Sequence, residues 1–157
     1  MLYQIKENFW TLGNTFAITD RDGKTCFEVR GTAFSWGDKL SFQDPSGQEL
    51  AYISQRLMSL RPIYDISVNG MPFAQITKDY SWFNKRFVLD IPGPNDYMID
   101  GSFLLHDYIF TRYEKTVATV SKRLGEWTDC YGVEIVDDED DISILCACIV
   151  IDQVVSR

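Results

Sequence analysis

Four turn signals divide the first two thirds of the chain at an almost constant interval. Asp20-Arg21-Asp22-Gly23, Asp44-Pro45-Ser46-Gly47, Val68-Asn69-Gly70 and Ile91-Pro92-Gly93-Pro94-Asn95 place glycines at 23, 47, 70 and 93, steps of 23 or 24 residues. Asp-Gly and Asn-Gly favour the positive φ that tight hairpins require, and the Pro-containing sequences suit other turns. Between the turns, apolar residues alternate with the rest. Phe16 and Ile18, Phe27 and Val29, and Leu40 and Phe42 each lie two apart, as do residues 63–68 and 117–120. Period two is the signature of a strand with two unlike faces. The text predicts consecutive hairpins, a meander of ten or so antiparallel strands. So many strands in one small unit must close or stack to avoid bare edges.

The pattern changes after Gly132-Val133-Glu134-Ile135-Val136. An acidic run, Asp137 to Asp141, leads into Ile142-Ser143-Ile144-Leu145-Cys146-Ala147-Cys148-Ile149-Val150-Ile151. Apolar residues cover nearly every face at helical spacing, which predicts a helix buried all round, with strand as the competitor. Acidic residues ahead of it suit a helix N-terminus. The apolar run is about half the ~20 residues needed to span a bilayer, and Asp152 closes it, so a core segment is expected and no transmembrane segment. No linker or low-complexity tract divides the chain, and residues 1–157 read as a single domain.

Several stretches together resemble the LURP-one-related family, within the Tubby C-terminal-like superfamily that also holds the phospholipid scramblases. They are Ala33-Phe34-Ser35-Trp36-Gly37-Asp38-Lys39-Leu40-Ser41-Phe42, Ser59-Leu60-Arg61-Pro62-Ile63-Tyr64-Asp65-Ile66, Gly93-Pro94-Asn95-Asp96-Tyr97, Thr116-Val117-Ala118-Thr119-Val120-Ser121-Lys122 and Tyr131-Gly132-Val133-Glu134-Ile135. The closing run to Asp152 is similar to the family's terminal helix. The resemblance implies a mostly-β fold, a closed antiparallel barrel of about twelve strands around a buried hydrophobic C-terminal helix. It implies no common enzyme activity, because fold and function are separable. Calcium binding, associated with scramblases at the stretch before the helix, is not expected here. Thr128-Asp129-Cys130-Tyr131-Gly132 keeps one acid, lacks the alternating ones, and puts a thiol where a hard oxygen is needed.

Charge and composition narrow the function. A formal net charge of -8 repels phosphate backbones, and no Lys/Arg run appears, so no nucleic-acid role is expected. The four cysteines, Cys26, Cys130, Cys146 and Cys148, form no C-x-x-C pair, and one histidine cannot complete a Cys/His zinc site. No metal and no cofactor are expected. Reduced thiols and the lack of a basic-then-apolar leader point to a cytoplasmic protein. Dinucleotide, P-loop, nucleophile-elbow and H-E-x-x-H signatures are absent. His106 sits beside Asp107, but neighbouring strand residues face opposite sides, so a structural or surface role is expected. The acidic run lacks calcium-loop spacing and reads as a solvated turn serving the helix.

One segment suggests a binding surface. In Tyr80-Ser81-Trp82-Phe83-Asn84-Lys85-Arg86-Phe87 the consecutive aromatics cannot all face one core, so Trp82 or Phe83 should be partly exposed beside Lys85 and Arg86. An aromatic next to cations suits an anionic headgroup or an acidic partner. The bland alternative is a strand–turn–strand whose side chain covers a barrel end. The chain is therefore expected to be a non-catalytic binding or scaffold domain, acting through its outer surface on a protein or an anionic phospholipid. An enzyme with a dispersed site and a structural stress- or membrane-associated protein are the alternatives.

Overall fold

In a computed structural model, residues 1–7, 15–32, 39–57, 59–80 and 85–155 are described. Twelve strands follow one another: β1 (Leu2–Lys6), β2 (Thr15–Thr19), β3 (Thr25–Thr32), β4 (Lys39–Gln43), β5 (Glu49–Gln55), β6 (Ile63–Val68), β7 (Met71–Tyr80), β8 (Lys85–Asp90), β9 (Tyr97–Ser102), β10 (Asp107–Arg112), β11 (Lys115–Ser121) and β12 (Cys130–Ile135). The helix α1 (Asp141–Val155) comes last. Each strand pairs antiparallel with its neighbours in sequence, and β12 returns to β1, closing the barrel. The expected barrel and central helix are thus both present, with twelve strands where the turn signals alone suggested ten or so.

The hairpins at one end, here called the floor, follow from the turn text. Asp20 Oδ1 accepts from the backbone N–H groups of Asp22 and Lys24, and Asp44 Oδ1 from those of Ser46 and Gln48. These bonds hold tight turns that end on Gly23 and Gly47, both left-handed, and a bulge precedes the last pair of each hairpin. Asn69 and Gly70, with φ of 54° and 75°, form a two-residue turn in which both residues are left-handed. Tyr113 and Glu114 do the same at 52° and 64°, without the residues that favour such a turn.

Inside, buried residues pair across the strands in a continuous lining. Leu40 lies opposite Ile53, Ile53 opposite Ile66, Tyr64 opposite Ile76, Leu89 opposite Tyr97, Ile99 opposite Phe110, and Val120 opposite Val133. This ring encloses α1, in which every residue from Ser143 to Gln153 is buried. The helix therefore fills the lumen, as its all-round apolar text requires. Its first turn is capped by Asp140, whose Oδ1 accepts from the Ser143 N–H at 3.2 Å.

The acidic run is the expected exposed turn at Asp137 and Asp138, but its second half is engaged by the barrel. Glu139 accepts from the Tyr97 hydroxyl at 2.7 Å and pairs with Arg112 at 3.0 Å, and the Tyr3 hydroxyl donates to Asp141. Burial and these carboxylates raise the phenols, Tyr97 up to about 12. Glu139 and Asp141 thus clamp the helix start to the barrel wall. Among the described residues no helix is long and apolar enough to cross a membrane.

Candidate functional site

Strand alternation puts the connections after β1, β3, β5, β7, β9 and β11 at the other end, with the C-terminus of α1. The floor turns are short, whereas residues 56–62 and 122–129 are longer connections. Loops held by a rigid frame are where binding residues concentrate. This rim carries exposed large apolar residues: Leu57 and Leu60 after β5, and Leu104 and Leu105 after β9. Leu104 and Leu105 are 74% and 68% exposed. A cleft of about 370 Å³ lies beneath them, lined by Lys78, Gly101, Ser102, Phe103, Leu104, Val154 and Val155. Arg61, Lys122 and Arg123 are exposed on the same rim, whereas Arg56 is held in a two-pronged ion pair with Asp65 of β6, at 2.8 and 3.3 Å.

Under the rim lies a polar cluster. His106 ends the four-residue turn after β9 with φ +50°, and its N–H donates to the Phe103 carbonyl at 3.2 Å. It is a turn residue, not the strand residue expected, and its partner is not Asp107. Nε2 lies 3.2 Å from Asp152 Oδ1 on α1, and Nδ1 lies 3.3 Å from Glu7 Oε1 after β1. The ring stacks on Tyr131 of β12 at 4.3 Å, and Tyr131 donates to Asp152 Oδ2. Lys122 pairs with the same Glu7 oxygen at 2.6 Å. Behind them, Tyr108 of β10 faces Cys148 of the helix.

The electrostatics follow from burial. Burial works against a charged His106, but the hydrogen bond and charge of Asp152, helped by Glu7, outweigh it and lift its pKa. Burial lifts Asp152 too, while His106 and Tyr131 oppose it. Burial drives the phenols of Tyr108 and Tyr131 far above their usual range. With a carboxylate at each ring nitrogen, His106 has no nitrogen left to serve as a base toward a bound molecule. No group of three or more metal-ligating side chains occurs among the described residues.

Nearby, Gln4 of β1 is buried and spans the connection before β12. It donates to the Leu124 carbonyl and accepts from the Glu126 N–H, each at 2.8 Å. Gly132 makes this possible, because a side chain there would collide with Leu124.

The aromatic–basic segment fares unevenly. Trp82 and Phe83 lie outside the described residues, and of Lys85 only the backbone, at the start of β8, is described. Arg86 forms a two-pronged ion pair with Asp100 of β9, at 2.8 and 3.1 Å. An anion at this point competes with Asp100.

A family model described as LURP-one-related matches residues 1–152. The chain belongs to the LURP-one-related family. The uncharacterized protein YxjI of Bacillus subtilis (strain 168) is 36% identical over 150 residues, covering 96% of this chain and 91% of that protein. An X-ray structure of a protein from Arabidopsis thaliana superposes with a TM-score of 0.69 at 16% identity, covering 99% of this chain and 91% of that one. The latter likeness is one of fold. Within this LURP-one-related domain, sequence reading missed Leu104, Leu105, Glu7, Tyr131 and Asp152. The available signal was a lone acid inside the apolar helix text, which demands a partner.

Proposed function

We propose that this LURP-one-related domain is a non-catalytic binding module that docks its rim, at the C-terminal end of the helix, against an anionic phospholipid surface. The observation that carries this reading is the exposed pair Leu104 and Leu105, on the same rim as Lys122, Arg123 and Arg61, in a chain of net charge -8. Apolar side chains on a rim that also carries cations suit an interface where tails and anionic headgroups meet. The occupied ring nitrogens of His106 favour binding over catalysis.

Sedimentation with phosphatidylcholine vesicles, with and without phosphatidylserine, tests it. The protein should pellet only with the anionic vesicles, less at high salt. Leu104→Asp with Leu105→Asp should abolish pelleting, and Lys122→Glu with Arg123→Glu should weaken it. Lys85→Glu with Arg86→Glu should weaken it as well if the aromatic–basic segment belongs to the same face. Equal pelleting with both vesicle types, or none, overturns the lipid reading. An unaffected Leu104/Leu105 variant moves the docking face away from the rim.

A further inference from the structure

We infer that His106 is a proton-controlled latch, fastening the apolar turn Phe103–His106 to the end of the central helix while its ring is doubly protonated. It deepens the reading above by adding regulation to the rim, and rests on that reading only for its effect on binding.

Geometry carries the inference. The turn is four residues long, and its first residue is buried, with Phe103 against Phe87 and Tyr108 at 4.8 and 5.2 Å. The next two are the exposed leucines. The fourth, His106, supplies the polar ties to three other elements: Asp152 on α1, Glu7 after β1, and Tyr131 of β12 by stacking. An imidazolium presents two N–H donors, one for each carboxylate. A neutral ring presents one donor and one lone pair, so one of the two carboxylates then faces a lone pair. Losing one proton therefore converts an attraction into a repulsion at Asp152 or Glu7, in a place where Asp152 is nearly sealed from water.

The surrounding groups set the direction. Facing the ring or its partners are Asp152 and Cys148 on α1, Glu7 after β1, Lys122 in the 3₁₀ turn Lys122–Leu124 that follows β11, Tyr131 on β12 and Tyr108 on β10. Burial and Lys122 disfavour the charged ring, and the two carboxylates favour it more. The histidine binds its proton more tightly in the latched form than in the free turn. The fastening is therefore complete below the ordinary histidine range, near 6.5, for as long as Asp152 keeps its charge, and is lost as pH rises through the raised latched value. Asp152, also raised, shifts stability in the same direction.

His106 is the protein's single histidine, so one ring C2–H resonance reports it without assignment. Its NMR titration should have a midpoint above 6.5, and Asp152→Asn should lower that midpoint. Hydrogen exchange of the Phe103–Asp107 peptide, normalised to the intrinsic rate at each pH, should show opening that increases with pH. The total increase should be about tenfold for each unit by which the midpoint exceeds 6.5. The Tyr113–Glu114 turn on the floor should not change. His106→Gln, which keeps one donor and no charge, should open independently of pH. If that variant does not fold, the wild-type titration and exchange still decide. A midpoint at or below 6.5, or opening that ignores pH, overturns the latch and leaves vesicle binding untouched. Conversely, absence of vesicle binding removes the docking role and leaves the titration standing.

Discussion

The hydroxyl of Tyr131, on the barrel wall, donates a hydrogen bond to the buried carboxylate of Asp152 on the helix, tying β12 to the last turn of α1. An isolated carboxylate there would be costly, and Tyr131 is one of the groups that make it tolerable.

Tyr131→Phe removes that donor and keeps the stacking surface for His106. Urea denaturation at neutral pH should show a loss of about 1–3 kcal/mol, the cost of an under-satisfied buried group. The loss should shrink in acid. There Asp152, whose pKa burial has raised, takes up a proton and no longer needs the donor as a charge. A loss that is the same at both pH values would show that packing, not the carboxylate, sets the effect.

The turn Tyr113–Glu114 holds two side-chain-bearing residues in the left-handed region. Each such residue stores strain, of the order of 1 kcal/mol. Tyr113→Asn with Glu114→Gly installs the pair that another floor turn already uses at Asn69–Gly70, and the melting temperature should rise. Tyr113 also contacts Asn95 and Arg112, and a fall in melting temperature would assign these contacts more weight than backbone strain.

Alkylation of the native protein should divide the four free thiols into two pairs. Cys146 and Cys148 are fully buried on the helix, and burial drives both thiols far from their reactive form. Cys26 and Cys130 are half-buried, and burial raises them less. Mass spectrometry should find adducts on Cys26 and Cys130 under native conditions, and on all four in denaturant. Native labelling at Cys148 would mean that the helix leaves the barrel on the timescale of the reaction.

The floor of the barrel was legible in the text because its turns are made locally. Asp20, Asp44 and Asn69 bond or bend the chain within a few residues of themselves, so sequence neighbours suffice to find them. Tyr113–Glu114 escaped because the surrounding strands impose that turn against residue preference. The helix was legible from its unbroken apolar cover. The rim was not, because its contacts join distant parts of the chain. His106 meets Glu7, Tyr131 and Asp152 only once the meander has closed, whereas its neighbour Asp107 made a closer but empty partner in the text. Arg86 illustrates the same limit, since Asp100 stands opposite it only in the register of β8 on β9.

The order of the elements has a consequence for synthesis. All twelve strands precede the helix that they enclose, so a ribosome releases the whole wall before the filling exists. Until α1 emerges, the lining aromatics and aliphatics have nothing to pack upon, and the strands bear open, sticky edges. Hairpins held by their own turns can form as they emerge, but the core of this domain is completed only when its final turn of helix has cleared the exit tunnel.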